Sequence, residues 1–326
     1  MNKRVFGKTG VSVSEVGLGT WQLGTRWGDA FNEKEAFSIL ETAQEQGINF
    51  IDTADVYNGG ESERVIGEYM KSHRSDFYVT TKCGRQLNPH TADMYTPEAM
   101  EAFVDASLKR LQTDHLDMIL LHCPPTSVYK KDEVFARMEQ MKKNGKLAHY
   151  GVSIETVAEG IQAMEYDIAA MEVIFNMFRL KPTEELFAKT KEQNVGVIVR
   201  VPLASGLLTG KYTKDTFFHA GDHRTFNRNG EAFDKGETFS GVDYELGLQA
   251  VEELKKVFGT NDLIPYALRY VLMHDAVSTV IPGASKASQV ISNVKAAELA
   301  TLSTEQMKAV QQVYDTYIRS SVHSNW

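Results

Sequence analysis

The stretch Phe50-Ile51-Asp52-Thr53-Ala54-Asp55-Val56-Tyr57-Asn58-Gly59-Gly60-Glu61-Ser62-Glu63 decides the fold. It opens as a short apolar run, the end of a buried strand, and then passes into turn residues. The segment from Glu61 to His73 reads as a helix. An apolar strand that runs straight into a helix is the repeating unit of a parallel sheet covered by helices. The strand ends on an acid, Asp52, and the loop after it carries a phenol, Tyr57. An acid and a phenol on one strand-to-helix loop point to proton chemistry, provided a cation stands beside them.

Working outward, the unit recurs. Upstream, Arg4 to Ser14 alternates around glycines as a small hairpin. Glu15 to Trp21 reads as a short strand ending in Gly17-Leu18-Gly19. Glu33 to Gln46 carries Ala36, Ile39, Leu40 and Ala43 on one helical face, with Gly47 as its stop. Downstream, Phe77 to Lys82 is a strand, and Pro97 after Thr96 opens a helix to about Leu111. Leu116 to His122 is the next strand, followed by a helix over Val134–Asn144 and strands at Ala148–Ser153, Met171–Asn176, Gly196–Val201 and Val277–Ile281. Eight strands alternating with helices, with no linker-like composition between them, predict a single α/β domain over residues 1–326. A closed (β/α)8 TIM barrel with a short N-terminal β-hairpin fits this count. A doubly wound open sheet is the alternative, but Gly17-Leu18-Gly19-Thr20 lacks the full G-x-G-x-x-G pattern. Functional residues of a barrel sit at the C-terminal strand ends. Asp52, Lys82 and His122 all close strands there.

Composition narrows the function. Charged residues are 24% and hydrophobic residues 42% of the 326, ordinary for a globular chain. A formal charge of -8 argues against a nucleic-acid footprint, yet local cations and helix N-termini can still hold a phosphate. No run approaches the roughly 18 apolar residues of a membrane span. The N-terminus lacks the apolar core of a signal peptide, so the cytoplasm is expected. No His-x-His pair or ligand cluster predicts a metal. Two cysteines make no disulfide framework.

Asp52, Tyr57, Lys82 and His122, with the flanking Asp-Thr-Ala-x-x-Tyr-x-x-Gly-x-Ser-Glu and Thr-Lys-Cys-Gly, resemble the catalytic signature of the aldo-keto reductases. The likeness covers nearly the whole chain. Its motif style is similar to the bacterial general-stress and inositol-cluster reductases and to potassium-channel β subunits. The resemblance implies reduction of aldehydes or ketones by NADPH, with Tyr57 as acid, Lys82 and Asp52 as its tuning pair and His122 orienting the carbonyl. Lysine beside tyrosine is expected to draw the phenol down from its usual pKa near 10.

The resemblance also implies the cofactor residues. Ser285 and Lys286 after Gly283 would meet a 2′-phosphate of NADP at a helix N-terminus, and Gln289 and Asn293 the adenosine. Arg stands in many members where this chain has Gln289. Ser153, Glu172 and Asn176 would hold the carboxamide, with Glu172 in place of the usual glutamine. Arg200, where an aromatic is common, would stack on the ring. The run Val201, Pro202, Leu203, Ser205, Gly206 to Lys211 would take the pyrophosphate, and Gly19, Thr20 and Trp21 would border the nicotinamide. Substrate is expected against Trp21, Tyr57 and His122, within a pocket also formed by Trp27, the loop after His122, the aperiodic Gly206–Asp243 connection and the tail to Trp326. The C-terminal helix starts with a capping-box pattern at Ser303 and Gln306 and is expected to run to near Arg319. Cys83 and Cys123 each follow a proposed catalytic residue; two small buried thiols are expected, and the alternative is a thiol lowered by its neighbours that oxidises readily. A Schiff-base enzyme using Lys82, and a cofactor-sensing regulatory subunit without turnover, are the competing readings.

Overall fold

The computed structural model describes residues 1–25 and 30–326, so Trp27 falls outside it. Strands β1 (Lys3–Val5) and β2 (Ser12–Ser14) pair antiparallel, as the alternation implies. The hairpin delivers Phe6 against Phe50 and Tyr78, at centroid distances of 5.3 and 5.7 Å. Both partners begin barrel strands, so the hairpin closes the end of the barrel opposite the strand C-termini.

The barrel follows from eight short strands. They are β3 (Leu18–Gly19), β4 (Phe50–Asp52), β5 (Tyr78–Cys83), β6 (Leu116–His122), β7 (Leu147–Ser153), β8 (Ala170–Ile174), β9 (Gly196–Arg200) and β10 (Val277–Val280). Each lies parallel to its sequence neighbours. The ring closes where Gly17 N donates to Val280 O at 2.8 Å and Val280 N to Glu15 O at 3.0 Å. Parallel bridges Val16–Val280 and Gly19–Gly283 complete the seam.

Around the barrel lie α1 (Glu33–Glu45), α2 (Glu61–His73), α3 (Pro97–Leu111), α4 (Asp132–Lys143), α5 (Val157–Ala163) and α6 (Leu186–Glu192). Their starts are set by caps: Asn32 accepts from Glu35 N, Thr96 from Ala99 N, and Thr156 forms a capping box with Glu159. Each such cap stabilises its helix by about 1 kcal/mol. On α1, Ala36, Ile39, Leu40 and Ala43 are all fully buried, and burying Ile39 and Leu40 contributes roughly 1.5–3 kcal/mol each. The later helices are α7 (His223–Phe226), α8 (Tyr244–Phe258), α9 (Ile264–Leu272), α10 (Ala287–Glu298), α11 (Thr304–Val313) and α12 (Arg319–Val322). Among the described residues no helix is long and apolar enough to cross a membrane.

Two segments depart from the sequence expectation. The Ser303–Gln306 capping box is present, but the helix it starts changes pitch at Tyr314–Ile318, a π-helical turn, before α12. The tail then turns inward, and the Trp326 ring packs 3.9 Å from the Arg179 guanidinium. Arg179 is buried, and an aromatic face is a favourable cover for a buried cation. The tail therefore packs under the connection between β9 and α8 and does not line the cavity. That connection forms only α7 and short 3-10 turns. Side-chain bonds hold it instead of apolar periodicity: Asn227 Oδ1 accepts from Ala232 N and Phe233 N at 2.8 Å, and Ser205 Oγ donates to Glu237 O at 2.8 Å.

Candidate active site

The C-terminal strand ends open into a cavity of about 840 Å³. Asp52, Tyr57 and His122 line it, and Lys82 lies beneath them, fully buried. Barrel register explains how they meet. Asp52 pairs with Thr80 across the β4–β5 ladder, and Lys82, two residues on, shares the face of Thr80 because strand side chains alternate. Its ammonium reaches back to Asp52 Oδ1 and Oδ2 at 2.7 and 2.6 Å and to Thr53 O at 3.1 Å. It also donates to the Tyr57 hydroxyl at 3.2 Å.

Tyr57 is placed by its loop. Asn58, Gly59 and Gly60 all take left-handed backbone, with φ of 51°, 64° and 96°. This turns the chain within three residues from the phenol into α2. At Gly60 a Cβ would come within 2.8 Å of Arg110 Cδ, so glycine suits both the conformation and the space. Thr20 fastens the neighbouring loop, its hydroxyl donating to Asp52 O at 2.8 Å.

Glu172 changes the electrostatics. Its Oε2 lies 3.2 Å from Lys82 Nζ, so two buried carboxylates share one ammonium. Burial alone would pull Lys82 down, but Asp52 and Glu172 hold it well above the ordinary lysine range. Burial and the Glu172 charge raise the Asp52 carboxyl, against the pull of Lys82. Tyr57 is not drawn down as expected. Burial pushes its pKa up, Lys82 opposes this, and the Asp52 and Glu172 charges add to the rise. The lysine is there, but its charge is already matched by two acids, so the phenol stays protonated at rest. His122 is shifted well below the usual histidine range by burial, then by Arg85 and Lys82, and is neutral near pH 7.

Of the residues expected around a cofactor, Gly19, Thr20, Trp21, Asp52, Glu172, Arg200, Val201, Pro202, Leu203, Ser205, Gly206, Gly283, Ser285 and Gln289 line the cavity. Five do not. Ser153 is buried, its hydroxyl 3.5 Å from Cys123 Sγ. Asn176 spends its amide on Val201 O and Ser240 Oγ, at 2.9 and 2.8 Å, and on Phe178 N. Asn293 donates to Gly283 O at 3.3 Å and so supports the loop. Lys211 and Lys286 are exposed. Arg200 lines the cavity but is pinned by Glu155 at 3.0 Å, Glu237 at 3.6 Å and Glu172 at 3.7 Å, which fixes the guanidinium in place.

Sequence reading missed Arg85, Glu237, His223, Arg224 and Phe233, all on the cavity wall. Arg85 follows Lys82 by three residues, on the loop leaving a barrel strand, and that position was its signal. The others come from the aperiodic connection, where no pattern singles them out. The Trp21 ring lies 5.1 Å from His223, 6.2 Å from Phe233 and 6.4 Å from Tyr57, forming an aromatic wall. The loop after His122 contributes nothing to the cavity lining among the described residues. The cysteines are the small buried thiols expected. Both thiols are buried, Cys83 is pushed up by burial and by Asp55, and Cys123 by burial and by Glu155, so neither is primed to form the reactive thiolate.

The donor set fits an anionic dinucleotide. Ala204, Ser205 and Gly206 take φ of 46°, 55° and 94° in succession; the Ala204 and Gly206 amides donate to Val201 O and Leu203 O at 3.1 and 2.9 Å, which leaves the Ser205 amide for an anion. Arg224 stands beside it, bonded to Tyr212 Oη and to Asp222. The first turn of α10 has no side-chain cap, and with Gln289 N bonded to Lys286 O the Ala287 and Ser288 amides are left for an anionic group.

The Aldo/keto reductase family model matches residues 15–315. A Bacillus subtilis protein named an uncharacterized oxidoreductase, YqkF, is 31% identical, with 95% of this chain and 96% of that protein covered. A putative voltage-gated potassium channel subunit β of Schizosaccharomyces pombe is 30% identical over 95% of this chain and 92% of its own. An aldo-keto reductase from Bacillus halodurans, solved in its holo form, superposes with a TM-score of 0.76 at 29% identity, covering 96% of both chains. This chain belongs to the aldo/keto reductase family, a family of oxidoreductases that use nicotinamide cofactors.

Proposed function

We propose that this protein reduces aldehydes or ketones to alcohols with NADPH, and that residues 1–326 act as one catalytic domain. The observation that carries the reading is the bonded series Asp52–Lys82–Tyr57 at the floor of the cavity, with neutral His122 beside it. Reduced nicotinamide, when bound, supplies a hydride. As the carbonyl oxygen takes on the C=O electron pair, Tyr57 would give it its proton. Tyr57 is protonated at rest, as an acid must be. Lys82 stays charged and stabilises the phenolate as it forms, while Asp52 and Glu172 hold the ammonium in place. Gly19, Thr20 and Trp21 would border the nicotinamide end, Leu203 to Gly206 would take the pyrophosphate, Ser285 and Lys286 would meet the 2′-phosphate, and Gln289 would meet the adenosine. Lys286 supplies the preference for the 2′-phosphate, so its replacement by alanine should narrow the gap between NADPH and NADH affinities. Solvated substrate in the aromatic-walled cavity is a small carbonyl compound.

The test follows NADPH absorbance with 4-nitrobenzaldehyde, alongside cofactor titration by tryptophan fluorescence. Tyr57→Phe should lose about 100- to 10,000-fold in kcat, the range of a positioned general acid, with cofactor affinity kept. The likeness to a channel β subunit favours a second reading, a cofactor-binding regulatory subunit. Tight NADPH binding with no wild-type turnover across a broad carbonyl panel would select it.

A further inference from the structure

Residues 236–241 of the β9–α8 connection form a turn on which three distant parts of the chain converge. Glu237 on this turn lines the cavity and pairs with Arg85 at 2.9 Å and Arg200 at 3.6 Å. From the loop after β9, Ser205 Oγ donates to Glu237 O at 2.8 Å and accepts from Phe239 N at 3.1 Å. From the end of β8, Asn176 Nδ2 donates to Ser240 Oγ at 2.8 Å. The third part is the tail. Trp326 does not line the cavity, yet its indole backs the turn at both ends. A Cβ added at Gly236 would lie 2.9 Å from Trp326 Cη2, and one at Gly241 would lie 3.0 Å from Cζ2. Both glycines rest on the ring with no room for a side chain.

The turn needs a hold from outside. Phe239, Ser240 and Gly241 take φ of 53°, 57° and 73° in succession, and non-glycine residues keep left-handed backbone only where their surroundings impose it. The ring that backs it is fixed on its other face. Arg179 stacks on it at 3.9 Å and is buried. Neither Nε nor Nη1 of Arg179 has a hydrogen-bond partner among the described residues, so the aromatic face is the main cover for this cation. The tail is anchored at His323, whose ring nitrogens lie 2.7 Å from Tyr314 Oη and 2.9 Å from Glu184 Oε1. We propose that Trp326 is a positioning residue: stacked on Arg179, it holds the 236–241 turn, and through it the Glu237 carboxylate that orders Arg85 and Arg200 on the cavity wall. The tail thus acts on the substrate side of the cavity without touching it.

Two measurements test the assignment, and the first does not depend on turnover. Trp326→Leu keeps apolar bulk but removes the aromatic face. In amide hydrogen exchange read by mass spectrometry, peptides covering residues 236–241 should exchange roughly tenfold faster in this variant, and barrel strands as in wild type. Unchanged exchange at the turn, or a uniform rise across the molecule, would overturn the proposal. The second measurement is kinetic and rests on the reductase reading above. Trp326→Leu should raise KM for the carbonyl compound roughly five- to tenfold, with kcat within about threefold, and Trp326→Phe should behave as wild type. Added to Glu237→Gln, Trp326→Leu should raise KM by less than about twofold more, because residues acting through one contact are not additive. Effects that multiply, an unchanged KM, or a phenylalanine variant as impaired as the leucine one would each overturn the proposal. If Trp326→Leu does not fold, Gly236→Ala pushes the turn off the same ring and should give the same exchange and KM pattern; wild-type behaviour there overturns it too. A wild type inert toward every carbonyl compound would sink the reductase reading and leave the exchange result to decide this one.

Discussion

The strand ends and the connection that covers them build one cavity by opposite means. Asp52, Lys82 and His122 are placed by barrel register, each closing a buried strand. Glu237, His223, Arg224 and Phe233 sit on a segment with no α-helix longer than four residues. The first group is fixed by the backbone ladder, the second by side-chain bonds to neighbours distant in sequence. The difference teaches where function can be tuned. Register cannot slip by one residue without turning every side chain to the other face, whereas a connection held by a few polar bonds can change its lining and leave the barrel intact.

Removing the cation at the strand ends should give the largest effect. Lys82→Met leaves Asp52 and Glu172 buried, 1–3% exposed, without their ammonium. Stranding a buried charge typically costs about 3–5 kcal/mol, so stability and turnover should fall together. Thermal unfolding with and without NADPH, run beside the absorbance assay, reads both. Lys82→Met combined with Glu172→Gln should recover much of the stability and none of the turnover. A double variant as unstable as the single one would break the two-acid, one-ammonium description.

At the connection the effect should be smaller and of another kind. Glu237 pairs with Arg85 at 2.9 Å and with Arg200 at 3.6 Å. Glu237→Gln removes that charge while the ladder beneath is untouched. KM for the carbonyl compound should rise roughly tenfold, within the range for losing one hydrogen-bonded charge, with Tm nearly unchanged. A Tm loss as large as that of Lys82→Met would erase the distinction between the two regions.

The same contrast explains what the sequence discloses. Helices with a one-sided apolar face, such as α1 and α2, and strands that are apolar throughout, such as β6, are local patterns. They predicted element boundaries to within a residue or two. The Asp52–Lys82 pair was legible because both residues close strands, and strand ends share one end of a barrel. Glu172 was legible as a cavity residue, but its approach to Lys82 needs the curvature of the barrel, which periodicity does not carry. For the same reason the direction of the Tyr57 shift was misread: the count of acids around one lysine is a tertiary fact. Asn176 and Ser153 closed on neighbours because bonds to Ser240 and Cys123 come from segments far along the chain. The Trp326 tail turned away because buried Arg179 takes its ring.

The one effect of opposite sign is a gain, from a residue in the same motif that does not line the cavity. Asp55 is fully buried, and no side chain donates to its carboxylate among the described residues. Burial, then the Glu63 charge, lifts its pKa to about 7, with Arg110 opposing. A carboxyl raised above its unfolded value near 3.9 binds more protons in the native state, so it lowers stability as pH rises from about 4 to about 7. The full shift corresponds to something on the order of 4 kcal/mol. Asp55→Asn removes the charge without adding bulk. Tm should rise by several degrees at pH 8, where Asp55 is ionised, and should change little at pH 5, where it is protonated in the fold. Parallel melting curves at the two values read the difference directly. An equal gain at both would place the benefit in packing, and a loss at pH 8 would mean that the charge is held by the fold after all.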